Sequence, residues 1–375
     1  MTTPANNRCT YAIFAINIQN GGGKTHLDQI LLQISSNTFS KYQFLVFVSK
    51  DYKFEQFQNR NITFIVYKYW NNYVFKALYA KLILPTYLKG FNVISILFPG
   101  GSSIKLNIKT VVIHRNLLPF DKYELKRLGL NFYQLKFRIL GIIQRYSLLR
   151  ADETIFLTNS ARKLISKRIN LHSNKSHVIN HGSFPYEGSF KNLDASRKGI
   201  VYLSSFFPYK NHNFVLRSYK AAINKGLNSK LILVGSGPSI YTKSIQREIK
   251  QLKLEDHVKI LSNQNKVELQ RLLHNSRLGI FASQCETFGQ SLLDYMRCSL
   301  PILCLKYNVT EEIVGKNCIE YEGSDYKHFG SLIFESYYNL TKLNIIAYKA
   351  YKQSLKFCWD ECTTQTLNLL IHTKK

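Results

Sequence analysis

Residues 281–304 read FASQCETFGQSLLDYMRCSLPILC and carry the clearest structural pattern in the chain. An apolar run, Leu278–Phe281, leads into a polar loop, and Gly289 then opens an apolar helical segment, Gln290–Met296. A second apolar run, Ile302–Leu305, follows. Short apolar runs on both sides of a helix are typical of parallel strands that are buried on both faces. This pattern predicts a strand–helix–strand unit of an α/β sheet.

The same alternation extends along most of the 375 residues. It predicts doubly wound parallel sheets with helices on both faces. Further strands are expected at Tyr11–Ile18, Phe44–Val48, Ile62–Val66, Val93–Leu97, Val111–Ile113, Thr154–Leu157, His177–Ile179, Ile200–Ser204, Lys230–Val234 and Val258–Leu261, and helices at Leu27–Ile34, Asn213–Ile223 and Ile240–Leu252.

Length and local composition predict the domain boundaries. A chain of 375 residues corresponds to two domains, at about 100–200 residues per domain. Gly182–Lys198 carries Pro185 and two glycines, so we expect the linker there. The prediction is a first domain over 1–182, a second over 199–350, and a C-terminal helix within 351–375.

The charge balance is strongly basic. The chain has 51 Lys and Arg against 23 Asp and Glu, a formal net charge of +28, and residues 1–180 hold 25 of the basic residues and 7 of the acidic ones. Such a chain is expected to bind a polyanion: nucleic acid, an anionic membrane face or a phosphorylated substrate. A lysine-rich composition spread over a solvated surface is the alternative. The 24 Tyr and 24 Phe exclude a disordered chain.

Cysteine spacing and hydropathy indicate a cytoplasmic protein. The seven cysteines show no CxxC or Cys/His ligand spacing, which argues against structural zinc and a disulfide framework. The first ten residues, MTTPANNRCT, lack the apolar core of a signal peptide, and no apolar run reaches membrane-spanning length. We expect reduced thiols and a cytoplasmic location, with peripheral contact to the inner face of the membrane as the further option.

A glycine-rich turn, NGGGKT at Asn20–Thr25, follows the first strand. Glycines at this place let the backbone approach a phosphate at a helix N-terminus. The end of the motif resembles a Walker A loop, but that pattern needs Gly where Ile18 stands. A phosphate or acceptor contact and a plain tight turn both remain open, and a P-loop-like NTPase is an alternative function.

Two loops that follow second-half strands carry charged residues. Lys210 ends SSFFPYK, residues 204–210, and is well placed to meet a diphosphate at the carboxyl edge of a sheet. Glu286 follows Leu278–Phe281 and can accept hydrogen bonds from sugar hydroxyls, while Asp294, two helical turns on, can accept them from a ribose diol. An ordinary surface lysine and a helix-capping glutamate are the alternatives.

Taken together, these segments resemble the GT-B glycosyltransferases, specifically glycosyltransferase family 4. The resemblance rests on the order of weak motifs over nearly the whole chain. They are TIFLTNSARKLI (154–165), HVINHGSF (177–184), YLSSFFPYKNH (202–212), LILVGSGP (231–238), LEDHVKILS (254–262), residues 281–304 quoted above, and FCWDECTTQTLNLL (357–370).

The resemblance implies a fold, a reaction and a set of site residues. Two Rossmann-like domains would face a cleft, with the C-terminal helix crossing back to the first domain. This sequence departs from the family at two positions. Asp294 stands where the family's signature has its second glutamate, and Ser205 stands where the family often has an arginine. The implied catalytic residues are His114, Glu286 and Lys210, and the implied donor-binding residues are Gly22, Gly23, Ser205, Lys210, Gly235, Ser262, Glu286, Thr287, Phe288, Gly289, Gln290 and Asp294.

The implied reaction transfers a sugar from a nucleotide-diphosphate donor, UDP- or GDP-linked, to a glycan hydroxyl with retention. Lys210 and helix N-terminal amides would stabilise the leaving diphosphate, so neither a metal nor another cofactor is expected, and the sequence has no Asp-x-Asp motif. His114 would meet the transferred sugar, although a buried structural histidine is the alternative. The loop HRNLLPF, 114–120, resembles acceptor-side loops of O-antigen enzymes.

Two basic amphipathic segments suggest where the acceptor lies. Tyr67–Lys89 and Lys122–Arg150 mix lysine and arginine with aromatic and aliphatic residues, a composition that suits an anionic interface. They favour a lipid-linked acceptor, such as an undecaprenyl-diphosphate-linked glycan of O-antigen or capsule assembly, at the inner membrane surface. Core-packed helices with snorkelling lysines are the alternative.

Two further functions remain open. A non-enzymatic nucleic-acid-binding protein would fit the charge, but the basic residues are dispersed and no RNA- or DNA-binding motif is present, so we expect no nucleic acid partner. A sugar epimerase with the same fold is the other. The order of the motifs favours the glycosyltransferase.

Overall fold

The computed structural model describes residues 9–19, 21–69, 72–184, 186, 189–262 and 264–372. Asn20 of the glycine motif and Pro185 of the expected linker lie outside the described residues. The chain divides into two compact units. The first comprises residues up to Phe120, then Lys136–Gly182 and the residues from Cys358 onward, and the second comprises Asp121–Leu135 and Ser183–Phe357.

Seven parallel strands form the sheet of the first unit, and the apolar residues of Thr10–Phe14, Gln43–Ser49 and Lys109–His114 are buried as expected. The spatial order is β3-β2-β1-β4-β5-β6-β7, so the direction of strand addition reverses between the first and fourth strands. The strands are β1 (Thr10–Phe14), β2 (Gln43–Ser49), β3 (Ile62–Tyr67), β4 (Val93–Phe98), β5 (Lys109–His114), β6 (Glu153–Phe156) and β7 (Ser176–Val178).

Helices connect these strands. Thr158 caps one of them by accepting from the amide of Ala161, and Asn170 ends it with a φ of 55°. In the part of the chain that the structure describes, no helix combines the length and apolar character that crossing a membrane requires. The helices are α1 (Gly21–Ile34), α2 (Tyr73–Leu82), α3 (Leu84–Gly90), α4 (Lys122–Arg127), α5 (Phe132–Arg150) and α6 (Asn159–Ile169), of which α4 and the first residues of α5 group with the second unit.

Six parallel strands form the second sheet, in the order β10-β9-β8-β11-β12-β13. The strands are β8 (Ile200–Leu203), β9 (Leu231–Val234), β10 (Val258–Leu261), β11 (Leu278–Phe281), β12 (Ile302–Leu305) and β13 (Ile319–Tyr321). The helices are α7 (His212–Asn224), α8 (Ser239–Gln251), α9 (Lys266–Asn275), α10 (Gln290–Arg297), α11 (Asn308–Val314), α12 (Tyr326–Tyr338), α13 (Leu340–Ser354) and α14 (Trp359–Ile371).

The C-terminal helix α14 belongs to the first unit. It contacts α1, β4 and β5, and Lys109 donates to the carbonyl of Leu369 over 2.6 Å. The helical pattern of the tail is not continuous, because α13 ends at Ser354 and α14 begins only at Trp359. Gly182 lies so close to Trp359 that a Cβ would come within 2.3 Å of its backbone nitrogen.

The structure places two segments differently from the predicted boundaries. Leu193, in the expected linker, is buried in the core of the second unit, and its amide donates to Asn344 over 2.7 Å. Residues 121–135 also group with the second unit rather than with 1–182. Tyr241 donates to the carbonyl of Leu128 over 3.0 Å, one of the contacts that hold this segment there.

Candidate functional site

Apart from Gly22 and Gly23 of the first unit, the predicted donor residues lie at the carboxyl edge of the second sheet. Its strand order reverses between β8 and its neighbour β11, and the loops that follow these two strands carry Lys210 and Glu286. Ligands of open parallel sheets bind at such a reversal. The edge is therefore where the sheet itself predicts a binding site.

Lys210 is held in a single turn of 3₁₀ helix. Pro208 begins the turn and Asn211 ends it with a φ of 57°. Tyr202, on β8, donates a hydrogen bond to the carbonyl of Lys210, and the ring of Tyr209 lies 5.2 Å from its Nζ. Lys210 is thus buried, with the Tyr209 ring beside its ammonium, rather than exposed as an ordinary surface lysine would be.

The ammonium of Lys210 donates to Oε1 of Glu286. Burial alone would lower the pKa of Lys210, but the charge of Glu286 outweighs it and raises the pKa above its usual value. The N-cap position of α10 is Gly289, which has no side chain. The structure thus pairs two of the three predicted catalytic residues.

The N-terminus of α10 opens at this same edge. Gly289 has a φ of 79°, and a Cβ there would come 3.0 Å from Leu292. Gln290 is the first helical residue, so the positive end of the dipole of α10 lies at this edge. Thr287 and Phe288 are buried in the loop before it, and the Phe288 ring packs edge-on against Phe357 at 5.9 Å.

Asp294 is buried on α10 and hydrogen-bonded to Tyr186, a residue that the sequence analysis did not single out. The hydroxyl of Tyr186 donates to its Oδ1 over 2.9 Å. Burial raises the pKa of Asp294 to about 7, against the opposing effects of Tyr186 and the charge of Lys266. One carboxylate oxygen is therefore engaged within the protein, and the group titrates near neutral pH.

Gly235, Ser262 and Ser205 follow strands at the same edge. Gly235 has a φ of 152°, and a Cβ would collide with the carbonyl oxygen of Ser204 at 2.0 Å, so only glycine fits. Its amide donates to Leu261 over 3.0 Å, which places Ser262, the next residue, beside it. Ser205 follows β8, and its carbonyl accepts from Phe207.

In the first unit, His114 ends β5 and is fully buried. Its ring lies 5.5 Å from those of Phe120 and Phe156. Burial lowers its pKa to about 4, so the imidazole is neutral at pH 7. This environment is that of a buried structural histidine, the alternative given above. Contact between His114 and the transferred sugar stays a prediction.

The glycine motif begins α1 directly at Gly21, which has a φ of 66°. Lys24 forms an ion pair with Asp28 over 2.7 Å, one turn along the helix. This geometry is that of a strand-to-helix turn, and it gives no support to a P-loop. Near Gly22 and Gly23 lies Arg115, whose Nη1 would be 3.3 Å from a Cβ on Gly23.

The structure brings in residues that local sequence patterns did not reveal. Arg115 lies in the 114–120 loop and Tyr186 in the expected linker, and neither was singled out as a site residue; Arg127 comes from the segment that groups with the second unit. Arg127 donates to the Pro208 carbonyl over 3.1 Å and to Gln284 over 2.9 Å, so it supports both site loops. These two loops follow β8 and β11, which pair in parallel.

One group among the described residues has soft metal-ligand chemistry. Cys304 and Cys318 have sulfur atoms 3.1 Å apart, beside the carboxylate of Glu320. Spacing along the sequence could not show it, because the pairing of β12 with β13 joins positions that are fourteen residues apart. The cluster is not among the predicted donor residues.

Comparison with known proteins agrees with this geometry. Residues 188–329 match the family model described as glycosyl transferases group 1. N-acetyl-alpha-D-glucosaminyl L-malate synthase of Bacillus anthracis is 30% identical over 122 residues, which cover 32% of this chain and 31% of the relative. The chain thus aligns with about a third of the length of that curated relative.

Solved structures match over nearly the whole chain. WaaG, a glycosyltransferase involved in lipopolysaccharide biosynthesis, aligns over 97% of this chain and 100% of its own, with a TM-score of 0.75 and 13% identity. Alr3699/HepE of Anabaena, in complex with UDP-glucose, aligns over 96% of this chain and 99% of its own, with a TM-score of 0.72 and 16% identity. The fold is that of the GT-B glycosyltransferases, and residues 188–329 match the glycosyl transferases group 1 model.

Proposed function

We propose that this chain is a retaining, metal-independent glycosyltransferase. It moves a sugar from a nucleotide-diphosphate donor to a lipid-linked glycan in bacterial surface polysaccharide assembly. The observation that carries the proposal is the buried Lys210–Glu286 pair at the carboxyl edge of the second sheet, within the group 1 domain. The pair joins a cation suited to phosphate with a carboxylate suited to sugar hydroxyls.

The donor is proposed from the charges at this edge. A leaving diphosphate develops negative charge in the transition state, and preorganised positive groups and N–H groups aimed at it lower the barrier. Lys210 supplies a full positive charge, and the first-turn amides of α10 supply the positive end of a helix dipole. Glu286 holds Lys210 in place and also accepts hydrogen bonds from the sugar hydroxyls.

Metal independence is proposed from the same residues, and retention from the family resemblance. Lys210 and the α10 amides take the role that a divalent ion plays elsewhere, and no Asp-x-Asp motif occurs in the sequence. By the resemblance, the acceptor hydroxyl attacks the anomeric carbon on the face that the diphosphate leaves, which retains the anomeric configuration. The nucleoside diphosphate departs with the bonding electrons and takes up the proton of the acceptor hydroxyl.

The acceptor and the location are proposed from a structural neighbour and from the charge of the first half of the chain. WaaG is named for lipopolysaccharide biosynthesis, in which sugars are added to a lipid-borne glycan. The basic excess of residues 1–180 suits a phosphorylated acceptor at an anionic membrane surface. We place the reaction on the cytoplasmic face, where nucleotide sugars are made.

A thermal-shift panel tests the donor. The full chain is heated with UDP-, GDP-, dTDP- and ADP-sugars and with the free nucleotides, without metal. A ligand that binds only the folded state raises the melting temperature, so one donor class should give a selective rise. Lys210→Ala should abolish that rise. A flat panel with a folded wild type, followed by no sugar transfer from any donor, contradicts the proposal.

A further inference from the structure

Two cysteines of the second unit have their sulfur atoms in contact. Cys304 lies on β12, and Cys318 lies in the bend that leads into β13. The two sulfur atoms are 3.1 Å apart, and the thiol of Cys304 donates a weak hydrogen bond to Cys318. Both residues are free thiols, so the contact joins two groups that can still react with each other.

The pairing of β12 with β13 produces this contact. Cys304 is the register partner of Glu320, and Cys318 comes two residues before Glu320. Side chains two residues apart along a strand point to the same face, so the pairing directs both cysteines to one face of the sheet. Ile319 and Tyr321 alternate with them and pack in the core of the second unit. The contact is therefore fixed by the sheet.

The two thiols differ in their access to solvent. Cys304 is 0% exposed, whereas Cys318 is partly exposed. A small oxidant dissolved in water therefore reaches Cys318 first. Oxidation of an accessible thiol gives a sulfenic acid, which condenses with a neighbouring thiol to a disulfide. Cys304 is the neighbouring thiol that this chemistry requires.

A soft metal ion is the competing occupant of this pair. The carboxylate of Glu320 lies beside the two sulfur atoms, so the group offers three ligand atoms. A structural zinc site has four protein ligands, and at about 2.3 Å from a tetrahedral ion two sulfur atoms stand about 3.8 Å apart. The described group is one ligand short, its carboxylate is exposed, and its sulfur atoms are already closer than that. The arrangement favours a bond between the sulfurs.

We propose that Cys304 and Cys318 form a reversible oxidation site, at which a hydroperoxide converts the two thiols into a disulfide. The sulfur of Cys318 attacks one peroxide oxygen, the O–O bond breaks, and the other oxygen leaves as water or an alcohol with the thiol proton. The sulfur of Cys304 then attacks the sulfenic sulfur of Cys318. The S–O bond breaks, and the hydroxyl leaves as water with the proton of Cys304. The two sulfurs lose two electrons in all, and the peroxide gains them.

The disulfide fastens the edge of the second sheet. β13 is the last strand in the spatial order and is three residues long. The bond closes a ring over residues 304–318, which contains α11 and joins β12 to the start of β13. Since a cross-link restricts the unfolded chain, the oxidised form should resist heating better than the reduced form.

Peptide mapping tests the oxidation site. The full chain is reduced, freed of reductant and treated with hydrogen peroxide, and the remaining thiols are alkylated before digestion with trypsin. A disulfide should join the peptide 298–306 to the peptide 317–327, with the loss of two thiols per chain, and dithiothreitol should restore both thiols. The first peptide also contains Cys298. Cys304→Ala should therefore abolish the link, which assigns it to Cys304.

Melting temperatures measure the consequence for stability. The oxidised wild type should melt about 5 °C above the reduced form, as expected for a closed ring of this size. Cys318→Ser should show neither the link nor the rise. Cys358→Ser is the matched control, because it removes an exposed cysteine of the first unit, and it should keep both.

Four results overturn the proposal. They are two thiols that survive peroxide, a disulfide with another cysteine, sulfinic acid at Cys318 without a link, and a zinc ion that binds the reduced chain and is lost in Cys318→Ser. The oxidation site does not depend on the proposed transferase, since neither Lys210 nor Glu286 lies in the ring. A donor-induced shift that persists in Cys318→Ser leaves the proposed function intact if the oxidation site fails.

Discussion

Lys210 and Glu286 are hydrogen-bonded to each other at the carboxyl edge of the second sheet, 76 positions apart in the chain. Lys210 is 9% exposed, so the pair is shielded from water and each charge depends on the other. Removing one partner from a buried pair leaves an uncompensated charge. The pair thus preserves a cation at a position where a leaving diphosphate needs one.

Lys210→Ala and Glu286→Gln should each lower turnover about a hundredfold, the usual loss when one preorganised charge-stabilising group is removed. Lys210→Ala removes the charge that meets the diphosphate. Glu286→Gln keeps the size of the side chain but weakens its hold on Lys210. Steady-state kinetics with the donor identified by thermal shift measure both changes.

The exposed pair Lys306–Glu322 provides the control for this experiment. Its side chains are 49% and 76% exposed, and Lys306→Ala should leave turnover within about twofold of wild type, because exposed pairs contribute little. A folded Lys210→Ala variant with wild-type turnover would remove that residue from the site.

Treatment with EDTA should leave transferase activity unchanged. The proposed diphosphate site uses Lys210 and the α10 amides, and a divalent ion has no assigned ligand there. Activity is measured after dialysis against EDTA and again after Mg²⁺ or Mn²⁺ is restored. Activity that disappears with the chelator and returns with the metal contradicts this mechanism.

Donor affinity should rise with pH through neutrality. Asp294 has a pKa of about 7, raised by burial, and its carboxylate form is the one that accepts hydrogen bonds from ribose hydroxyls. The charged fraction rises about tenfold between about pH 6 and about pH 8, so the Kd of a nucleotide sugar should fall by a similar factor. Titration calorimetry with a nucleotide sugar, whose diphosphate does not titrate in this range, measures it.

Two variants separate Asp294 from other titrating groups. Asp294→Asn should remove the pH dependence. Tyr186→Phe deletes the hydrogen bond that favours the charged carboxylate, so it should move the midpoint of the pH dependence upward. A slope that survives in Asp294→Asn would assign the titration to another group.

The strands were predictable where burial on both faces produces an unbroken apolar run, as at Gln43–Ser49 and Leu278–Phe281. The strand Ile319–Tyr321 was not predicted, because its middle residue is exposed and the run is only three residues long. The linker prediction was wrong around Leu193, because a hydrogen bond to Asn344 holds this residue against the second unit. Local composition carries no information on such a distant partner.

Part of the candidate site was predictable, because its residues follow strands that the apolar runs reveal. Lys210 and Glu286 each follow an apolar strand, and parallel strands bring their carboxyl ends to one edge. That the two residues bind each other, and that Tyr186 binds Asp294, depends on side-chain geometry across strands and loops. Neither pairing leaves a local pattern in the sequence.

Gly182→Ala should destabilise the first unit, whereas Gly90→Ala should not. A Cβ on Gly182 would come 2.3 Å from the backbone nitrogen of Trp359 at the start of α14, so the helix must shift, at a cost of about 1–3 kcal/mol. A Cβ on Gly90, also in the first unit, meets nothing within 4 Å. Urea unfolding followed by Trp fluorescence compares the two variants, and equal midpoints would mean that α14 is not held at Gly182. A lower midpoint for Gly182→Ala alone would make the C-terminal helix part of the stability of the first unit.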